Sequence, residues 1–96
     1  MKKAYLLSFS DDFGTREQVK NCLGSMSSII TWRYDMTNAF YIISESSAEI
    51  ISDQLRNLMN SGGRYIVTEI SENSQGWLTE GSWYLMQNKE QMPEKK

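Results

Sequence analysis

Histidine is absent from the 96 residues, and with it go imidazole metal sites, histidine-based triads and the commonest general acid or base at neutral pH. Cys22 is the only cysteine, so no intrachain disulfide can form. Its place on an apolar helical stripe marks it as a buried small hydrophobe rather than a nucleophile. Ser8, Ser10, Thr15 and Ser46 have no base to activate them, which leaves nucleophilic catalysis without support. No apolar run approaches the roughly 20 residues that span a bilayer, and the N-terminus lacks the apolar stretch of a secretory signal. A cytoplasmic protein with no membrane partner is expected. A net charge of −2 leaves no surplus of cations for a large phosphate-binding footprint.

What is present is the composition of an ordinary globular chain, 40% hydrophobic and 23% charged, at a length that buries one core and not two. Lys3 to Phe9 is a short apolar and aromatic run that stops at the turn formers Ser10 to Gly14, which predicts a first strand. Thr15 with Gln18 is a capping box. Val19, Cys22, Leu23 and Met26 then recur at helical spacing, with Gly24 expected at the helix end. Ser28 to Tyr34 and Ala39 to Ser44 are β-branched and aromatic runs around a turn-prone loop, hence a hairpin.

Ser46 with Glu49 reads as a second capping box, followed by an apolar stripe through Ala48, Ile51, Leu55, Leu58 and Met59. Gly62 and Gly63 lack phosphate-loop spacing and end that helix; Arg64 to Ile70 gives a fourth strand. The order βαββαβ predicts an α+β, ferredoxin-like, four-stranded antiparallel sheet, with strands one and three central and two helices on one face. Trp77 to Met86 is Trp-rich, shows no clear period and must pack on something. The expected domain covers residues 1–86, with 87–96 a flexible polar tail.

Strand alternation places Tyr5, Leu7 and Phe9 together on one side of the first strand, and Tyr41 and Ile43 on one side of the third. The opposite sides, through Leu6, Phe40 and Ile42, are apolar as well. A sheet apolar on both faces predicts a homodimer through the face without helices, with Trp77 and Trp83 contributing to the dimer or ligand face. The alternative is that Trp77, Leu78, Trp83 and Tyr84 fold back over their own sheet.

The succession YLLSF, a capped helix, ITWRYDMTNAFYIIS, a helix ending before RYIVTEI, and a Trp-bearing segment resembles the small bacterial proteins of the SinR family. These are similar in fold to the small CRISPR-associated adaptation subunit, once described as an endoribonuclease. The resemblance covers residues 3–86 and implies a ferredoxin-like fold and a homodimer. In the CRISPR-associated relatives an aspartate follows an aromatic residue at the end of strand one as the proposed metal ligand. Here Ser10 follows Phe9, and Asp11 and Asp12 come one and two places later.

Asp11 and Asp12 are thus the candidate catalytic and metal residues. Two copies in a dimer would hold Mg²⁺ for phosphoryl chemistry, against the ordinary reading as turn formers ahead of a helix N-terminus. No cofactor is expected, with Mg²⁺ as the alternative. Asp12, Phe13 and Gly14 spell the kinase metal-binding tripeptide without any of its companion motifs, a chance match. Trp32, Arg33 and Tyr34, with Tyr5 and Tyr41, are candidates for stacking RNA bases, against the ordinary reading as core and interface residues. The sequence therefore favours a non-enzymatic, homodimeric interaction module of SinR-like type, ahead of a metal-dependent nuclease and a sheet-face RNA binder.

Overall fold

The first strand is the frame on which the rest is hung. In the computed structural model, which describes residues 1–94, β1 (Lys3–Phe9) pairs on one side with β3 (Ala39–Ser44) and on the other with β4 (Tyr65–Glu69), and β2 (Ile29–Arg33) pairs with β3. All pairs are antiparallel and the sheet order is β2-β3-β1-β4, so strands one and three are central as expected. Helices α1 (Arg16–Ser25) and α2 (Ala48–Met59) complete a βαββαβ, ferredoxin-like arrangement; a third helix, α3 (Glu80–Asn88), follows it.

Register decides which residues share a face, because directly opposed residues in an antiparallel pair point the same way. Tyr5 lies opposite Ile42 and Leu7 opposite Phe40. These join Phe9, Val19, Leu23, Ile51 and Leu55 in the main core, under α1 and α2. Leu7, Phe40, Ile42, Ile51 and Leu55 are wholly shielded, and burial of such a side chain contributes roughly 1.5–3 kcal/mol. Cys22 is buried in the same core, and burial pushes its thiol up, away from the reactive thiolate.

Leu6 lies opposite Tyr41 and Ala4 opposite Ile43, on the other face of the sheet. There Tyr41 and Ile43 meet Leu85 and Met86 of α3 in a second apolar cluster. The seven residues expected to make one dimer or ligand face are therefore divided. Tyr5, Leu7 and Phe9 are sealed under α1 and α2, Tyr41 and Ile43 are sealed under α3, Trp83 is half-buried at the rim of the second cluster, and Trp77 is 99% exposed.

Local details also depart from expectation. The Thr15 and Gln18 capping box forms as predicted. The cap of α2 is Ser47 rather than Ser46: Ser47 adopts the extended conformation and accepts from the Ile50 N–H. Ser46 is spent elsewhere, its carbonyl accepting from Tyr5 Oη at 2.6 Å and its N–H donating to Ser44 Oγ. Gly24 lies inside the last turn of α1, which Met26 closes. Asn60, left-handed at φ 48°, ends α2, and Gly62 follows at φ 75°.

The segment read as aperiodic becomes α3, whose helix runs past the expected domain end at residue 86 to Asn88. Near its start a Cβ at Gly81 would stand 2.8 Å from the Arg33 guanidinium carbon, so a larger residue there would displace the end of the Arg33 side chain. Beyond the helix, Gln91 donates to Thr31 Oγ1 and to the Trp32 carbonyl on β2. The predicted flexible tail thus includes anchored residues, and its last two positions lie outside the described residues. No helix among the described residues is long and apolar enough to cross a membrane.

Candidate functional site

The structure separates the residues that the sequence proposed for chemistry. Asp11 and Asp12 occupy the exposed turn after β1. Asp11 Oδ1 accepts from Asn38 Nδ2 at 2.8 Å, which ties this turn to the β2–β3 loop. Among the described residues no three side chains of histidine, cysteine, aspartate or glutamate gather closely enough to hold a metal ion.

Trp32, Arg33 and Tyr34 alternate across β2 and its end. Trp32 and Tyr34 pack on Phe40 of the main core, their rings stacked at 6.2 Å, and Arg16 lies over the Tyr34 ring at 4.5 Å. Arg33 points to the opposite face, where its Nε donates to Ser82 Oγ at 3.3 Å. Tyr5 and Tyr41 are each 2% exposed, so neither ring offers a free stacking surface.

Around Arg33 a polar knot fastens α3 to the hairpin. Thr79 Oγ1 donates to Asp35 Oδ1 at 2.9 Å and lies 3.1 Å from Ser82 Oγ. Partial burial alone would raise the Asp35 carboxyl, but contacts with Ser82 and Thr79 and the charge of Arg33 outweigh it and hold the group below its usual range. Beneath this knot, Tyr41 Oη is buried with no hydrogen-bond partner among the described residues. Burial first, and the Asp35 charge second, push its phenol up to about 12.

Coverage of the sheet is unequal. Helix α3 lies over β2 and β3. On the same face Ser8 of β1 and Ile66 and Thr68 of β4 stay exposed, Ile66 at 60%, and Leu6 is half-buried. β4 is also an edge strand, bonded to β1 alone, so its outer row of backbone donors and acceptors has no partner strand.

Beside β4 runs a concavity of about 840 Å³, between the C-terminal half of α2, the loop at Gly62 and Gly63, and β4 itself. Arg56 from α2 and Arg64 from the start of β4 both line it, without any carboxylate among the lining residues. Neither guanidinium takes part in an ion pair or hydrogen bond among the described residues. The loop is held in place: Ser10 Oγ accepts from the Arg64 N–H at 3.1 Å, and Gly63 lies so close to Asp12 and Phe13 that a Cβ would stand 2.1 Å from the Phe13 nitrogen. Opposite, Tyr65 Oη donates to the Ser52 carbonyl at 3.0 Å.

Sequence reasoning passed over Arg56, Arg64 and Ile66. A usable signal was present in two arginines flanking a glycine pair with no acidic residue between them. No protein-family model matches the chain, and neither curated proteins nor solved structures offer a significant match.

Proposed function

We propose that this chain is a non-enzymatic interaction module that works as a homodimer joined along β4. The observation that carries the reading is the pairing of an open strand edge with the bare half of the adjacent sheet face, where Ile66 is 60% exposed. Exposed edges of this kind are templates for strand addition, and main-chain hydrogen bonds supply much of the affinity.

The residues of β4 favour one self-pairing. An antiparallel pair centred on Val67 sets Ile66 opposite Thr68 and Tyr65 opposite Glu69, leaving no like charges opposed. A pair centred on Glu69 would oppose two carboxylates and is disfavoured. Pairing about Val67 continues the sheet through both copies with α1 and α2 on the same side. A SinR-like dimer, which the sequence resemblance implies, is compatible with this arrangement. Asp11, by contrast, is engaged by Asn38, which lends a two-aspartate nuclease no geometric support.

Light scattering after size exclusion tests the reading. The expected result is a particle of twice the 11.1 kDa chain mass, converted to a monomer by Ile66→Lys combined with Thr68→Lys. Both positions are exposed, so the lysines block the edge without entering the core. A monomeric native chain, or a dimer indifferent to both lysines, overturns the proposal.

A further inference from the structure

We propose that the outer edge of β2 is a second strand-pairing site for another copy of this chain, held shut by Gln91 of the same chain. The site lies at the opposite end of the sheet from β4 and does not depend on pairing there.

Both ends of the sheet are edges, since β2 is bonded to β3 alone and β4 to β1 alone. Their coverage differs. On β2 the Trp32 carbonyl accepts from Gln91 Nε2 at 3.0 Å, and the same nitrogen donates to Thr31 Oγ1 at 2.7 Å. A carbonyl that takes its bond from the chain end points away from β3, and in an antiparallel ladder the N–H of that residue points the same way. Trp32 therefore carries the two backbone groups that an incoming strand would use, and Gln91 holds one of them. Gln91 also shares a surface hollow with Trp32, Arg33 and Tyr34, so its side chain lies along the edge.

The geometry of the chain delivers Gln91 to this place. Lys89, left-handed at φ 61°, closes α3 with its N–H donating to the Leu85 carbonyl at 2.7 Å, and it turns the chain back towards β2. Gln91 follows two residues later. So short a tether holds the amide at an effective concentration of about a millimolar or more, against which a second copy at micromolar concentration loses.

A second copy is the occupant that the sequence of β2 suits. An antiparallel pair centred on Trp32 sets Thr31 opposite Arg33, so the single charge of the strand meets a hydroxyl and not its like. That register uses the N–H and the C=O of Trp32 together, in one hydrogen-bonded pair. Pairing with β3 slips by one residue between Ile29 and Thr31, a bulge that confines the regular part of the edge to the stretch around Trp32. Gln91 thus sits on the part of β2 where pairing would begin. Where β4 pairs as well, a closed β2 stops assembly at two copies, and an open one lets each dimer add the next.

Light scattering of the full chain tests the site, in a background of Ile66→Lys with Thr68→Lys that blocks the β4 edge. Gln91 is exposed, so Gln91→Ala leaves the core untouched. The background chain is expected at 11.1 kDa, and addition of Gln91→Ala should raise the mass towards twice that value across about 0.1–1 mM chain. Ile30, 47% exposed, lies on the same strand, and a further Ile30→Lys should return the mass to that of the Gln91 parent.

No gain in mass over the Gln91 parent up to about 1 mM overturns the proposal, as does a gain that Ile30→Lys leaves unchanged. The two pairings fail separately. A monomeric native chain sinks the β4 dimer and leaves this site standing, whereas a Gln91→Ala chain no heavier than its parent sinks this site alone.

Discussion

Thr79 Oγ1 donates its hydrogen bond to the carboxylate of Asp35 at 2.9 Å, so the N-cap of α3 is fastened to the loop after β2. The cap side chain accepts no backbone N–H of the first turn of α3, its hydroxyl lies 3.1 Å from Ser82 Oγ, and the carboxylate it bonds adds to Glu80 an anion from 44 residues upstream. Here a favourable helix-terminus charge and a tertiary contact are the same interaction.

Asp35→Asn should therefore destabilise the protein near neutral pH, by no more than about 1 kcal/mol because the carboxylate is largely exposed and screened. The folded-state carboxyl sits below its usual value of 3.8. Its contribution is thus present above that value and lost as pH falls through the lower folded value. Urea denaturation of native and variant chains from pH 7 downward should show two curves converging in acid; a constant gap would place the effect outside the charge.

Tyr41 makes the opposite prediction at the alkaline end. A phenol raised from 10 to about 12 in the folded state keeps its proton when the unfolded chain has lost it. Stability is then undiminished below pH 10 and falls as pH rises towards 12. In Tyr41→Phe that decline should be smaller. At pH 7 the same variant should be at least as stable as the native chain, since the hydroxyl it removes is buried without a partner.

Two glycines are expected to respond in opposite directions to the same substitution. Gly24→Ala adds a methyl group within α1 where nothing stands within 4 Å, and should stabilise by about 0.5–1 kcal/mol. Gly63→Ala drives a Cβ to 2.1 Å from backbone that cannot yield, and should cost about 3 kcal/mol or more or displace the loop. Thermal unfolding of the two variants beside the native chain reads both.

Leu85 is the apolar anchor of α3, wholly shielded against Tyr41 and Ile43. Leu85→Ala should cost about 2–4 kcal/mol and loosen the helix. Trp83, at the rim of the same cluster, then becomes wetter and its fluorescence shifts to the red. Trp77, 99% exposed in the native chain, cannot contribute to that shift.

How far the chain could be read in advance depended on how far its signals were local. β1 and β3 extend over the predicted residues, because a β-rich run bounded by turn formers carries its own limits. The Thr15 and Gln18 box was equally plain, being written within four residues. α3 was illegible: Gly81 and two aromatics are poor helix formers, and the helix exists because Leu85 and Met86 find the apolar side of β3.

The cap of α2 escaped for a related reason. Ser46 and Ser47 are chemically alike, and only the distant Tyr5 hydroxyl decides which of them is free to cap. Faces were misgrouped because alternation within a strand says nothing of register between strands. One pairing, Tyr5 with Ile42, settles it. The groove beside β4 draws its lining from a helix, a loop and a strand, and no local pattern announces such convergence.

The central position of β1 has a consequence for synthesis. β1 is flanked by β3 and β4, whose first residues are 39 and 65, so during synthesis it stays unpaired on its β4 side until that later strand has been made. The run YLLSF is among the most apolar in the chain and is sticky while alone. A chaperone that shields nascent strands would find a target in β1, and α1, whose Thr15 and Gln18 box is complete by residue 18, would be the next element able to cover it.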